Sequence, residues 1–128
     1  MKLLLDTHIF LWWITDNHLL SSNAHGLIED TGNDLFLSAA SGWEIAIKAG
    51  LEKIILPDNP ILFIEEQMTV NQIYSLPIEL EHALHIYRLP LKHKDPFDRI
   101  LVAQAQIEGL VIISNDKYIQ QYDVEVVW

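Results

Sequence analysis

Short apolar runs separated by longer amphipathic stretches limit what this chain can fold into. Leu3-Leu4-Leu5, Leu35-Phe36-Leu37 and Leu110–Ile113 each have the length and character of a buried strand. Shorter strand candidates lie at Gln72–Leu76 and Val124–Val127. Between them the pattern reads as helix. Residues 6–15 carry Ile9, Trp12 and Trp13 at helical spacing, and Ser21 or Ser22 can cap a second helix with Ala24, Leu27 and Ile28 on one face. A third helix covers about residues 39–50. It has Ala39, Trp43, Ala46, Ile47 and Gly50 on one apolar side of its wheel, expected to face the core. Further helices are expected over 61–70, 79–87, from Asp95-Pro96 to about Gly109, and over 115–120. Strands alternating with helices predict an α/β fold with a mainly parallel sheet.

The 128 residues suffice for one domain, read as 1–128, without disulfides, and there is no cysteine. Zinc fingers built on thiolates and thiol nucleophiles are thereby excluded. No apolar run approaches the roughly 18 residues of a membrane span, and Asp6 and His8 break the short leader-like N-terminus. A soluble, cytoplasmic protein is expected. Eight basic against 18 acidic residues leave a net charge of −10, which argues against a general nucleic-acid coat or a membrane-surface binder.

In open α/β sheets the chemistry lies beyond the carboxyl ends of the strands. Asp6 directly follows one apolar run and Asp116 follows another by three residues. Taken singly, each reads as an acid capping a helix. Glu44 borders the Trp43/Ile47 side of its helix and has Lys48 as a natural i,i+4 partner. In Asp95-Pro96-Phe97-Asp98-Arg99 the proline marks the first helical turn, so Asp95 is the cap and Asp98 lies on the flank of the buried stripe. A carboxylate there is costly unless paired or metal-bound. Should Asp6, Glu44, Asp98 and Asp116 converge, their repulsion calls for a hard cation such as Mg²⁺ or Mn²⁺. Such an ion can activate water and stabilise the leaving oxygen of a phosphodiester.

Asp6-Thr7-His8 after the first strand, Trp43-Glu44-Ile45, His93-x-Asp95-Pro96-Phe97-Asp98-Arg99 and Ser114-Asn115-Asp116 occur in an order that resembles the PIN-domain family. Within it they are similar to the VapC-type toxin ribonucleases of toxin–antitoxin systems. The resemblance covers nearly the whole chain. It implies a Rossmann-like sheet, Mg²⁺ or Mn²⁺ dependence, endonucleolytic cleavage of RNA, a cognate antitoxin and a homodimer. Asp6, Glu44, Asp98 and Asp116 match the family's acidic quartet, and Thr7 and Ser114 its supporting hydroxyls. For the dimer, the first two helices and the 61–70 region are candidate surfaces.

Arg88, Lys92, Lys94 and Arg99, with His93 among them, form a basic stretch beside Asp95 and Asp98 and are candidate RNA contacts. Residues 54–87 hold five acids and no Lys or Arg, a candidate face for a basic partner. His82 and His85 have i,i+3 spacing but no evident third metal ligand, whereas His8 can line the pocket behind Asp6. Trp12, Trp13, Trp43 and Trp128 read as core. Two other readings carry less support. One is an Mg²⁺-dependent phosphatase with Asp6 as nucleophile, although the usual second acid is here His8. The other is an interaction module that keeps the fold without catalysis.

Overall fold

The computed structural model describes all residues from Met1 to Trp128. Five strands, β1 (Lys2–Leu5), β2 (Asp34–Ser38), β3 (Ile73–Leu76), β4 (Val111–Ile113) and β5 (Val126–Val127), form one sheet in the order β3-β2-β1-β4-β5. Every pairing is parallel. β1 is central, with Leu3 opposite both Leu35 and Val111. Leu3, Leu4 and Leu5 are fully buried, and they point alternately into two cores. Leu3 and Leu5 pack with Ile9, Phe10, Ala24, Ile28 and Ile45. Leu4 packs on the other face with Leu101, Val102, Ala105, Ile112 and Ile119. An unbroken apolar strand is therefore covered by helices on both sides, as parallel sheets require.

The helices are α1 (Thr7–Ile14), α2 (Ser22–Glu29), α3 (Ala39–Gly50), α4 (Pro60–Val70), α5 (Leu80–His85) and α6 (Pro96–Glu108). Their ends follow the local chemistry. Ser21 accepts from Ala24 N–H at the start of α2, and Asp95 accepts from Phe97 and Asp98 N–H at the start of α6. Pro96 occupies the first turn of α6, where a missing N–H costs nothing. Gly109 ends that helix at φ +68°, a left-handed conformation that glycine adopts without a Cβ penalty.

Three expectations change. The stretch 115–120 forms no α-helix, only a 3₁₀ turn at Ile119–Gln121, because the Asp116 side chain accepts from Tyr118 and Ile119 N–H and closes a tight turn. The helix expected over 79–87 gives way after His85 to a 3₁₀ turn. The face of α3 is reversed: Ala40, Ser41, Glu44 and Ile45 are buried, whereas Trp43 is 62% and Ile47 40% exposed. Trp43 is consequently not core, but packs edge-on against Phe97. The wheel identifies an apolar side, but the side that faces inward here is the one carrying Ser41 and Glu44.

No helix is long and apolar enough to cross a membrane. Because Leu4 lies at the centre of the second core, Leu4→Ala is expected to lower unfolding stability by about 2–5 kcal/mol in denaturant titration. A loss below about 1 kcal/mol would mean that this strand is not the centre of the fold.

Candidate metal and nucleic-acid site

The chain leaves β1 at Asp6, and the neighbours of β1 on its two sides, β2 and β4, are reached by opposite crossovers. In open parallel sheets such a strand reversal marks the ligand-binding crevice, here at the carboxyl edge between β1 and β4. Asp6 occupies the N-cap position of α1, yet its side chain caps no backbone N–H. Its Oδ2 instead accepts from Ser114 Oγ at 2.7 Å, which ties the end of β1 to the residue after β4. Ser114 Oγ in turn accepts from the N–H of Asp116 at 3.0 Å. Thr7 Oγ1 donates to Ser41 Oγ at 2.9 Å in a buried contact that seats α1 against α3. Ser41 was not anticipated, because a lone serine in a helix carries no signal until its partner is known.

Asp98 enters the crevice from the first turn of α6 and is mostly buried, at 15% side-chain exposure. Asp95 already caps the helix, so the Asp98 carboxylate is free to turn to His93, whose Nε2 lies 3.0 Å from Oδ2. Burial lifts Asp98 to about 7, against the lowering effect of His93, and the charges of Asp6, Asp95 and Asp116 add to the rise. Asp6 is raised for the same first reason, burial. The hydrogen bond from Ser114, the charge of His8 and the nearby Thr7 backbone N–H oppose that rise, while Asp116 reinforces it. Asp6, Asp98 and Asp116 therefore share one electrostatic environment. Asp116 spends one oxygen, Oδ1, on its turn.

Glu44 is buried on the inner face of α3, one turn beyond Ser41. Its Oε2 is held by Lys48 at 2.8 Å, and its charge is not among those that move Asp6 or Asp98. No three Asp, Glu or His side chains are arranged as a ready metal cage. The donor chemistry nevertheless suits a hard divalent cation. Buried carboxylates that raise one another's proton affinity are relieved by a cation, and one held partly through water does not need every ligand in direct contact.

The basic stretch divides. Arg88, Lys92 and Lys94 are exposed. Arg99 is buried and is no RNA contact: its Nη1 donates to Pro90 O at 3.0 Å and to Tyr122 Oη at 2.9 Å, and its Nη2 donates to Ile86 O at 3.4 Å. Its position in the first turn of α6 points it under the 86–90 segment instead of outward. His93 is likewise turned inward, between Asp98 and Tyr122. Of the remaining histidines, His8 is exposed beside Trp12. His82 is buried against Glu108 and receives the Glu79 N–H, while His85 lies against Gln106. The His82/His85 pair thus fastens α5 to α6 and forms no metal site.

A family model for the PIN domain matches residues 3–125. The chain belongs to the PIN-domain family. Ribonuclease VapC22 of Mycobacterium tuberculosis is 29% identical over 120 residues, spanning 93% of this PIN domain's chain and 90% of that protein. VapBC2 of Rickettsia felis, solved bound to a promoter DNA fragment, superposes with a TM-score of 0.73 at 12% identity, over 99% of this chain and 98% of that one. DNA-bound VapBC of Salmonella typhimurium gives 0.72 at 17% identity, over 99% and 97%. A toxin–antitoxin complex from Klebsiella pneumoniae gives 0.64 at 19%, over 98% and 95%. The three structures share the PIN fold with this chain.

Asp98 binds its proton more tightly in the folded chain than in the unfolded one, so acidification through about pH 7 favours the fold. In chelator, Asp98→Asn removes this dependence. Between pH 8 and pH 5.5 the native chain is expected to gain about 2 kcal/mol relative to the variant in paired denaturant melts. A pH-independent difference would show that Asp98 is not in a desolvated acid cluster.

Proposed function

We propose that this PIN domain is a divalent-metal-dependent endoribonuclease, the toxin of a toxin–antitoxin pair. The observation that carries the reading is that Asp6 at the end of β1 and Asp116 after β4 are joined through Ser114, and that the charges of both raise the proton affinity of the mostly buried Asp98. The similarity to VapC22 supports the ribonuclease reading, and the VapBC complexes that share its fold support an antitoxin partner. Asp6, Asp98 and Asp116 would hold Mg²⁺ or Mn²⁺, with Glu44 at the edge of the site. When bound, the ion supplies the Lewis acidity that activates water and offsets charge on the phosphodiester. Ser114 holds Asp6 Oδ2 and the Asp116 backbone in one unit, so the two carboxylates keep a fixed separation. Thr7 and Ser41 lock α1 to α3 beneath the site. Arg88, Lys92 and Lys94 supply the exposed positive charge that meets the phosphate backbone.

The partners follow from the surface. Trp43, Ile47, Leu51, Ile61 and Leu62 are exposed on α3 and α4, next to Asp58, Glu65 and Glu66. That combination suits an antitoxin segment with apolar anchors and basic flanks. A second copy of the chain fits the face of α5 and the 3₁₀ turn after it, where Leu80, Leu84 and Tyr87 are bare. Glu81 and Arg88 border Leu84 there, so a two-fold pairing can set each acid against the other copy's base. Leu84→Glu should accordingly move the mass in solution from dimer to monomer at micromolar concentration. A native chain that is monomeric at that concentration would refute this assignment.

The deciding assay is cleavage of a mixed RNA pool by purified protein with Mg²⁺ or Mn²⁺, and with chelator. Cleavage should require the metal and fall by at least about 10²-fold in Asp98→Asn. Few basic residues face the RNA, so binding should be weak and should weaken further with salt. Equal cleavage by both proteins would expose a contaminant. No cleavage with normal Mn²⁺ binding would favour an interaction module, and a trapped aspartyl-phosphate on Asp6 would favour a phosphatase.

A further inference from the structure

The hydrogen bonds around His93 follow one direction when Asp98 is the ionised carboxylate that a cation would bind. An acceptor only, it takes the Nε2 hydrogen, which in a neutral ring leaves Nδ1 to accept. Arg99 has donors and no acceptor, so Tyr122 Oη accepts from Arg99 Nη1 at 2.9 Å. The phenol hydrogen is then free to go to His93 Nδ1, also at 2.9 Å. With Nδ1 accepting, the ring hydrogen resides on Nε2 and is donated to Asp98 Oδ2 at 3.0 Å. The imidazole cannot easily swing away from this line. It lies flat on the Tyr118 ring, with centroids 5.1 Å apart and planes 6° from parallel. Arg99 is fixed in turn by the carbonyls of Pro90 and Ile86, and its guanidinium lies 5.9 Å from the centre of the Tyr122 ring.

We propose that Arg99, Tyr122 and His93 form a one-way hydrogen-bond chain that orients the Asp98 carboxylate, making His93 and Tyr122 positioning residues for the divalent-cation site. The inference rests on the metal-nuclease reading above. The chain ties up Oδ2 and leaves Oδ1 of Asp98 without a hydrogen-bond partner in the fold, the oxygen a cation would take. A carboxylate with one oxygen pinned presents the other at a fixed angle, and loss of such outer-layer hydrogen bonds typically costs 10–100-fold in metal affinity. It also gives a use to three residues that a ribonuclease of this charge would otherwise be expected to place outside: a buried arginine, a half-buried histidine and a tyrosine with its hydroxyl inside the fold.

The test is Mn²⁺ binding by titration calorimetry on the full chain, with thermal melts as the control for folding. Tyr122→Phe keeps the ring and removes only the hydroxyl. It is expected to raise the Mn²⁺ Kd about tenfold or more and to lower kcat on RNA with little change in KM. His93→Phe keeps the stack on Tyr118 but cannot donate, and should weaken Mn²⁺ binding at least as much. His93→Gln retains a side-chain N–H and should recover part of that loss. Adding Tyr122→Phe to His93→Phe should cost nothing further, because the tyrosine acts only through the histidine. The inference is overturned if Tyr122→Phe binds Mn²⁺ as the native chain does, or if His93→Phe and His93→Gln are equally impaired. It is overturned too if the two losses add in the double variant. Should Tyr122→Phe fail to fold, the two His93 variants decide alone. A native chain that binds no Mn²⁺ overturns the metal reading itself, an outcome distinct from normal native binding with indifferent variants.

Discussion

The site depends on the burial of β1 from both faces. Leu3, Leu4 and Leu5 have no accessible surface, and their alternation into two cores requires helices above and below the sheet. The chain must then emerge at the carboxyl edge of the central strand with little room for water. Asp6 stands at that point. Its carboxylate is desolvated because the strand before it is buried and α1 after it packs back on the sheet through Ile9 and Phe10. Ser114 is placed beside it by the same pairing, since Leu5 lies opposite Ile113 in the β1/β4 register. The contact that joins the two halves of the site is thus a consequence of register, and a slip of one residue would turn Ser114 away.

The sheet order and the acid cluster are two views of one constraint. Parallel strands bring all their carboxyl ends to one edge, and the reversal between β1 and β4 is the point of that edge where such sheets take their ligands. Apolar packing closes the rest of the molecule, so polar groups that cannot be solvated elsewhere gather at that point. The two buried carboxylates there cost the fold free energy, as the raised proton affinity of Asp98 and Asp6 records. A fold keeps that cost where function draws on it, and a bound cation would return it.

Much of this was legible in the residues themselves. Unbroken apolar runs gave the strands, Asp95-Pro96 the start of α6, and acids after strands the edge to inspect. Two inferences failed for a shared physical reason. Arg99 was counted with Arg88, Lys92 and Lys94 because charge was summed along the chain, but the first turn of a helix points successive side chains in different directions. The more apolar side of α3 faces outward, against the usual rule for an amphipathic helix. The neighbours of α3 include α1 and α6; Ser41 meets Thr7 of α1, Glu44 is paired with Lys48, and the apolar side is left bare. In both cases the sequence pattern describes a side chain's character, while the partner that receives it comes from a distant segment.

The same reasoning explains why an acidic chain can carry a site for an anionic polymer. Net charge acts over distances that salt screens within about 10 Å, whereas orientation acts at contact. Of the four bases in 88–99, the one closest to Asp98 in sequence is withdrawn from the surface and bonded to carbonyls and a phenol. Left exposed, it would pair with the carboxylates and compete with a cation for them. Buried, it is linked to Asp98 only by way of Tyr122 and His93 and does not pair with the carboxylate directly. The other three, Arg88, Lys92 and Lys94, stay exposed, and in the proposed reading they are the charges that meet phosphate. Separating the charge that binds the polymer from the charge that orders the site lets each be set without disturbing the other.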